Sequence, residues 1–245
     1  MRRLLVWCLA VLALTATLVS CRTATVVIVP TLAPSERPFP LLPAPTKVIG
    51  MMYNFPSREG EPDHDPGFYV RSANALTTDG AAIAMPQVYD TVYYEAELVV
   101  IIGKRARRVS EAEASGHILG YTCGMDGTPI VTDADGSRNL ARSIGGKSID
   151  GIAPVGPRIA SQLNVSGHDI ILRINGEEVE RANTNDFVLS PALVVSQLSE
   201  FFTLEPGDMI FMGASRLVPQ MTAGHEVEVE ITGIGILRHT VEGRR

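Results

Sequence analysis

Residues 93–104 read YYEAELVVIIGK, and the period of this stretch decides how the rest of the chain is read. Alternate side chains of an extended strand share a face, so Tyr94, Ala96, Leu98 and Val100 fall on one side and Tyr93, Glu95, Glu97, Val99 and Ile101 on the other. Both sides turn apolar, so the strand is expected to be covered on both faces. Glu95 and Glu97 therefore sit on a face that continues into core. Their side chains start about 7 Å apart, the rise of two strand residues. Carboxylates at that spacing, held away from water, raise each other's pKa, and something positive must offset them. A hard divalent cation does this with oxygen ligands and usually takes a further carboxylate; arginine partners at a partly wet strand end are the plainer alternative.

Downstream the signals are of many strands and few helices. Ser110 and Glu113 form a capping box that opens a short helix around SEAEAS. HILGYTCGM then reads as a buried strand leading to Asp126, an aspartate that either caps a turn or meets a charge. Asn175-Gly176 lies between two extended runs, the mark of a tight hairpin. Ser190 and Pro191 start a helix as N-cap and first-turn proline, with Val194, Leu198 and Phe201 at helical spacing behind them. LEPGD ends it, and DMIFMG is a short buried strand. In HEVEVEITGIGILRHTV, Val227, Val229 and Ile231 oppose Glu226, Glu228 and Glu230, a half-exposed strand that turns at Thr232-Gly233. These glutamates share their face with polar residues only, which is a solvated face rather than a site. With no internal repeat, residues 47–245 read as one domain.

The chain has 245 residues, 45% of them hydrophobic, enough for a substantial core. Its net charge of −6 and lack of a long Lys/Arg cluster argue against a nucleic-acid partner. At the N-terminus, Arg2 and Arg3 precede the apolar run LLVWCLAVLALTATL, which reads as an export signal over residues 1–20; an uncleaved anchor is the rival, but the run is short for a bilayer span. Leu18-Val19-Ser20-Cys21 resembles a bacterial lipoprotein cleavage site, with Cys21 lipidated and the protein held in the cell envelope. Cys123 is then left without a disulfide partner and reads as a small core residue. Residues 21–46 carry Pro30, Pro34, Pro38, Pro40, Pro43 and Pro45 and read as a semi-rigid tether, although TVVIV within them is able to add a strand.

Taken in order, YYEAELVVIIGK, GYTCGMD, GGKSIDGIAPVGP, NGEEVERANTND and FFTLEPGDMIFMG followed by EVEVEITGIGIL resemble the fumarylacetoacetate hydrolase family from about Val48 to Val241. The resemblance implies an α+β, mainly β fold, the mixed β-sandwich roll of that family's C-terminal domain, commonly a homodimer. It implies one divalent ion, usually Mg²⁺ with Mn²⁺ or Ca²⁺ as alternatives, on Glu95, Glu97 and Asp126. Lys147 matches a lysine near the metal that can hold a substrate oxygen. Arg71 stands where the family usually has a lysine lining the substrate site, a change that keeps charge and alters geometry.

Family substrates are small oxo- or enol-carboxylates of the acylpyruvate, oxaloacetate or 2-hydroxydienoate type, hydrolysed, decarboxylated or isomerised through a metal-stabilised enolate. Hydrolysis also uses a His–Glu dyad on a lid after an N-Y motif. With Asn54 in register in MMYNFPSREGEPDHD, Glu61 falls on the glutamate, but Arg58 takes the histidine position, and arginine cannot act as a base. His64, six residues on, is the substitute if the lid is rearranged; an exposed loop histidine is the plainer reading. The family's T-G-T-P segment near the substrate becomes Met212-Gly213-Ala214-Ser215, which places Ala214 with Arg58 and Arg71 on the substrate side. The segment after Asp126 also departs from the family. An active metal-dependent lyase or isomerase is the first reading and a hydrolase with a repositioned base the second; a non-catalytic metal-containing binding or scaffold lipoprotein is the alternative.

Overall fold

The computed structural model describes residues 38–39, 41–57, 59, 62–89, 91–161 and 163–243. The signal segment with Cys21, most of the tether including TVVIV, and Arg58 and Glu61 lie outside the described residues. Among the described residues no helix is long and apolar enough to cross a membrane.

The strands are β1 (Val48–Met52), β2 (Gly67–Arg71), β3 (Leu76–Thr78), β4 (Ala82–Ala84), β5 (Thr91–Ile102), β6 (Ile118–Ile130), β7 (Ala153–Val155), β8 (Asp169–Ile174), β9 (Glu177–Asn183), β10 (Met209–Phe211), β11 (Val218–Gln220), β12 (Glu226–Ile231) and β13 (Gly235–Glu242). Among the described residues three short α-helices accompany them, α1 (Glu111–Ala114), α2 (Leu140–Gly146) and α3 (Pro191–Phe201). One mixed sheet runs β2-β1-β10-β5-β6-β7-β3, with β11 also on β5; the other runs β4-β13-β12-β8-β9. Strands β5 and β6 pack against β8, β12 and β13, so the core lies between the two sheets. This is an α+β, mainly β, mixed-sheet roll with few helices.

Local signals account for most elements. β5 is buried from Glu97 to Ile102 on both faces, as its pattern requires. Asn175 and Gly176 take φ of 51° and 82°, the left-handed pair that a two-residue hairpin between β8 and β9 demands. The Ser110–Glu113 capping box opens α1, and the Ser190 hydroxyl accepts the Leu193 N–H at the start of α3. Cys123 is buried and free, its thiol pushed up to about 12 by burial.

Four expectations need correction. Phe201, placed on the buried stripe of α3, is 66% exposed at the last residue of the helix, whereas Val194 and Leu198 are buried. Asp126 does not end its strand: β6 continues to Ile130. The last part of the expected tether lies on the domain, with Phe39 and Leu42 against the core and Asp208 accepting the Thr46 and Lys47 N–H groups at 2.8 and 2.9 Å. Finally, α2 has no counterpart in the sequence reading.

His239 lies on the buried face of β13, its ring centroid 6.4 Å from that of Tyr94, and neither ring nitrogen has a hydrogen-bond partner. Burial lowers its pKa to about 3. Between about pH 6.5, where an exposed histidine titrates, and that folded value, the unfolded chain binds a proton that the native ring refuses. This group therefore leaves stability intact above pH 6.5 and removes about 1.4 kcal/mol per pH unit below it. Urea denaturation of the wild type and His239→Leu from pH 7 to pH 4 should show the variant losing less stability on acidification; parallel curves would refute the assignment.

Candidate active site

The register of β5 on β6 sets Glu95 directly opposite Asp126 and Glu97 opposite Gly124. Period two puts all three acidic side chains on one face. Each offers an oxygen, and the three lie within 4.8 Å of one another. Two elements bring positive charge to them. From β2, Arg71 donates to both Asp126 oxygens, Nη1 to Oδ1 at 2.9 Å and Nη2 to Oδ2 at 2.5 Å, and the Tyr69 hydroxyl donates to Oδ2 at 2.5 Å. From the end of α2, Lys147 Nζ donates to Glu95 at 2.6 Å, Asp126 Oδ2 at 2.6 Å and Thr128 at 2.5 Å. Thr128 passes its own hydroxyl hydrogen to Glu95.

In strand order β2 is four positions from β6. A flat sheet would hold them about 19 Å apart, at roughly 4.8 Å per strand. The direct bonds from Tyr69 and Arg71 to Asp126 thus require the sheet to coil back on itself. Gly50 on β1 allows this, since a Cβ there would meet the Tyr69 ring at 2.2 Å. The Arg71 guanidinium also lies over the Phe211 ring of β10, 4.7 Å from its centroid.

The helix that carries Lys147 is held by local bonds. The Asn139 side chain caps it by accepting the Arg142 N–H, and Ser143 accepts the N–H of Val131, the residue after the end of β6. Glu97 accepts the Gly213 N–H at 2.6 Å, so the Met212–Ser215 loop is tied to the acidic group. Asn54 fixes the same loop by donating to the Met212 carbonyl at 3.0 Å, and it accepts the Leu189 N–H.

Three acids and two bases leave one negative charge in excess, and it is unevenly spread. Burial acts to raise the Asp126 pKa, but Arg71 and then Lys147 outweigh it and hold Asp126 low. Burial likewise pulls Lys147 down, yet Asp126 and Glu95 keep it firmly protonated. Glu97, 2% exposed, is pushed well above the usual carboxylate range, first by burial and then by Asp126 and Glu95. It is the carboxylate whose charge the protein's own cations leave least compensated. A cation bonded to each carboxylate at roughly 2.0 to 2.6 Å needs its ligand oxygens within about 5 Å of one another. This set meets that condition, supplies the hard oxygen donors preferred by Mg²⁺, Mn²⁺ or Ca²⁺, and contains the uncompensated charge that such an ion neutralises.

A cavity of about 460 Å³ opens over the group. Glu95, Glu97, Lys147, His64 and Ala214 line it, together with Tyr69 and Thr128. His64 is exposed and stacks on Tyr53 with ring centroids 4.3 Å apart. Arg71 is not in the lining: the structure seats it behind Asp126, where it holds a carboxylate rather than facing the cavity. The sequence reading missed Tyr69 and Thr128, although a signal was present. Each stands two residues from a named position, Arg71 or Asp126, and so on the same strand face.

A family model described as fumarylacetoacetate (FAA) hydrolase C-terminal matches residues 47–242. A curated relative, the 4-hydroxyphenylacetate degradation bifunctional isomerase/decarboxylase of Salmonella dublin, is 39% identical over 180 residues, 72% of this chain and 41% of the relative. The chain thus spans less than half the length of that protein. Among solved structures, 5-carboxymethyl-2-hydroxymuconate delta-isomerase from Mycobacterium smegmatis aligns with a TM-score of 0.74 and 28% identity, over 82% of this chain and 80% of that one. Fumarylpyruvate hydrolase from Pseudomonas aeruginosa, solved in complex with Mn²⁺ and pyruvate, aligns with a TM-score of 0.70 and 29% identity, over 81% and 90%. Motif order, coiled mixed sheet and family match agree, and the chain belongs to the fumarylacetoacetate hydrolase C-terminal family.

Proposed function

We propose that this protein is a divalent-metal-dependent enzyme that hydrolyses, decarboxylates or isomerises small oxo- or enol-carboxylates. The observation that carries the reading is the convergence of Glu95, Glu97 and Asp126 oxygens within 4.8 Å, beside a cavity lined by the Lys147 ammonium. Relatives named as isomerase, decarboxylase and hydrolase, one of them solved with Mn²⁺ and pyruvate, support it. The three carboxylates hold the ion, and we take Mg²⁺ as the resident one. A divalent ion supplies Lewis-acid polarisation of a substrate carbonyl.

The chain's own residues do the rest. Lys147, kept charged by its carboxylates, binds an anionic substrate oxygen. Arg71 from behind and Tyr69 from the cavity wall fix the orientation of Asp126. The Gly213 N–H holds Glu97 in place. His64, on the cavity wall and the nearest match to the missing lid histidine, is the candidate base. Arg138 and Arg216 also line the cavity and suit a second carboxylate on the substrate. Arg138→Ala should raise KM for a dicarboxylate such as oxaloacetate by about tenfold with kcat less affected, the pattern of lost uniform binding; an unchanged KM excludes that contact.

Turnover of acylpyruvates, oxaloacetate and 2-hydroxydienoates, each with Mg²⁺ and after EDTA, tests the reading. Metal-dependent loss of one substrate supports it, whereas inertness toward all of them favours a non-catalytic binding or scaffold lipoprotein. We further propose a signal over residues 1–20, lipidation at Cys21, envelope location, a tether up to the domain of residues 47–245, and a homodimer. Fatty-acid labelling abolished by Cys21→Ala, and twice the monomer mass by light scattering, are the expected results.

A further inference from the structure

We propose that a cation enters the acidic centre by exchange with the Lys147 ammonium, which is thereby turned from the carboxylates toward the cavity. The proposal rests on the metal-centre reading above. Its basis is the saturation of Asp126. An ionised carboxylate presents about four lone-pair sites, and Asp126 accepts from Arg71 Nη1 and Nη2, the Tyr69 hydroxyl and Lys147 Nζ. Three of these four donors share Oδ2, the oxygen on the Glu95 side that Lys147 bridges, so a further bond to Oδ2 requires one of them to yield.

Arg71 and Tyr69 are poorly placed to do so. The Arg71 side chain is fully buried, bonded through two nitrogens and stacked over Phe211. Tyr69 is buried, and its ring fills the space above Gly50. Lys147, although buried as well, is held differently: it sits at the end of α2 on a flexible unbranched stem, with neither a two-point contact nor a ring wedged against backbone, and it lines the cavity into which its ammonium can swing. It also bridges two of the three carboxylates, Glu95 and Asp126, each at 2.6 Å. Ammonium and divalent ion therefore compete for the same oxygens, and a compact point charge with rotatable donors is the partner that can leave.

Substrate specificity follows from the exchange. The displaced ammonium needs a new partner, and an anionic substrate oxygen in the cavity provides one. Ion and anion thus strengthen each other's binding, and by linkage the effect is reciprocal. A neutral carbonyl compound gains nothing from Lys147, so the site selects oxo-acids over simple ketones.

The test is calorimetric titration of the folded protein with Mn²⁺. Lys147→Met, which keeps the stem and removes the charge, should bind Mn²⁺ about tenfold more tightly than the wild type, a shift of 1.4 kcal/mol. Oxalate should tighten Mn²⁺ binding to the wild type and do so less in the variant. Equal or weaker binding by Lys147→Met overturns the exchange while leaving the metal centre in place. Failure of both proteins to bind the ion removes the metal-centre reading itself. Should the variant not fold, the wild type still decides. The ¹⁵N-labelled Lys147 ammonium, protected by its three bonds in EDTA, should lose that protection when Mg²⁺ saturates the protein, and an unchanged signal overturns the exchange.

Discussion

Glu97→Gln is expected to raise the melting temperature of the protein in EDTA and, under the function proposed above, to lower oxo-carboxylate turnover by about a thousandfold or more, the scale of losing a charge-stabilising centre. Both effects come from one carboxyl. Glu97 is buried beside Asp126 and Glu95, and its pKa stands well above the ordinary 4.5. A group whose pKa rises on folding stabilises the native state below its unfolded pKa, and that contribution is lost as pH rises through the folded value. The advantage of glutamine should therefore be absent near pH 4 and grow toward neutral pH. A bound ion reverses the sign, because mass action stabilises whatever binds it. Saturating Mn²⁺ should raise the wild-type melting temperature and leave that of the variant almost unmoved. Equal ion-induced shifts in the two proteins would remove Glu97 from the ligand set.

Arg71→Leu should cost about 3–5 kcal/mol of folding stability, the usual consequence of removing one partner from a buried ion pair. Asp126 would keep Lys147 and Tyr69, but it would lose its two-point contact and the group that most strongly opposes its desolvation. Leucine fills part of the space over Phe211, so an empty volume is not the main loss. Arg71→Lys keeps the charge and gives up the fork, and should fall between the two. Urea denaturation is the measurement, read as a lower midpoint at unchanged slope. Arg181→Leu is the control: that arginine bonds Glu178 and Asp169 in water, where solvent screens the pairs. A midpoint for Arg71→Leu no lower than that of the control would show that the buried pair does not support the fold.

The two predictions depend on features that were visible in the sequence to different degrees. Glu95 and Glu97 stood out because period two is a local property, and an acidic pair on a strand apolar on both faces is anomalous wherever it occurs. The Asn175-Gly176 turn, the Ser110–Glu113 capping box and the Pro191 helix start were legible for the same reason: dihedral limits and end-group hydrogen bonds act over a few residues. Phe201 misled because periodicity says which residues share a stripe, and not which of them the rest of the fold covers. The α2 helix went unseen because LARSIGG is short and ends in two glycines; its stability comes from the Asn139 cap and from Ser143 bonded to Val131.

By itself the sequence determined the mainly β character, the hairpins, the doubly buried strand and, by family resemblance, the candidate ligands Glu95, Glu97 and Asp126. It also placed Arg71 near the site. Only the tertiary structure decided that Arg71 serves Asp126 and does not face the cavity, and that Tyr69 joins it there. The reason is physical: alternation along a strand assigns a side chain to a face, but whether β2 lies about 19 Å from β6 or touches it depends on the coiling of the whole sheet. That coiling is set by packing among residues far apart in the chain, including the missing side chain of Gly50, and no short window of sequence contains it.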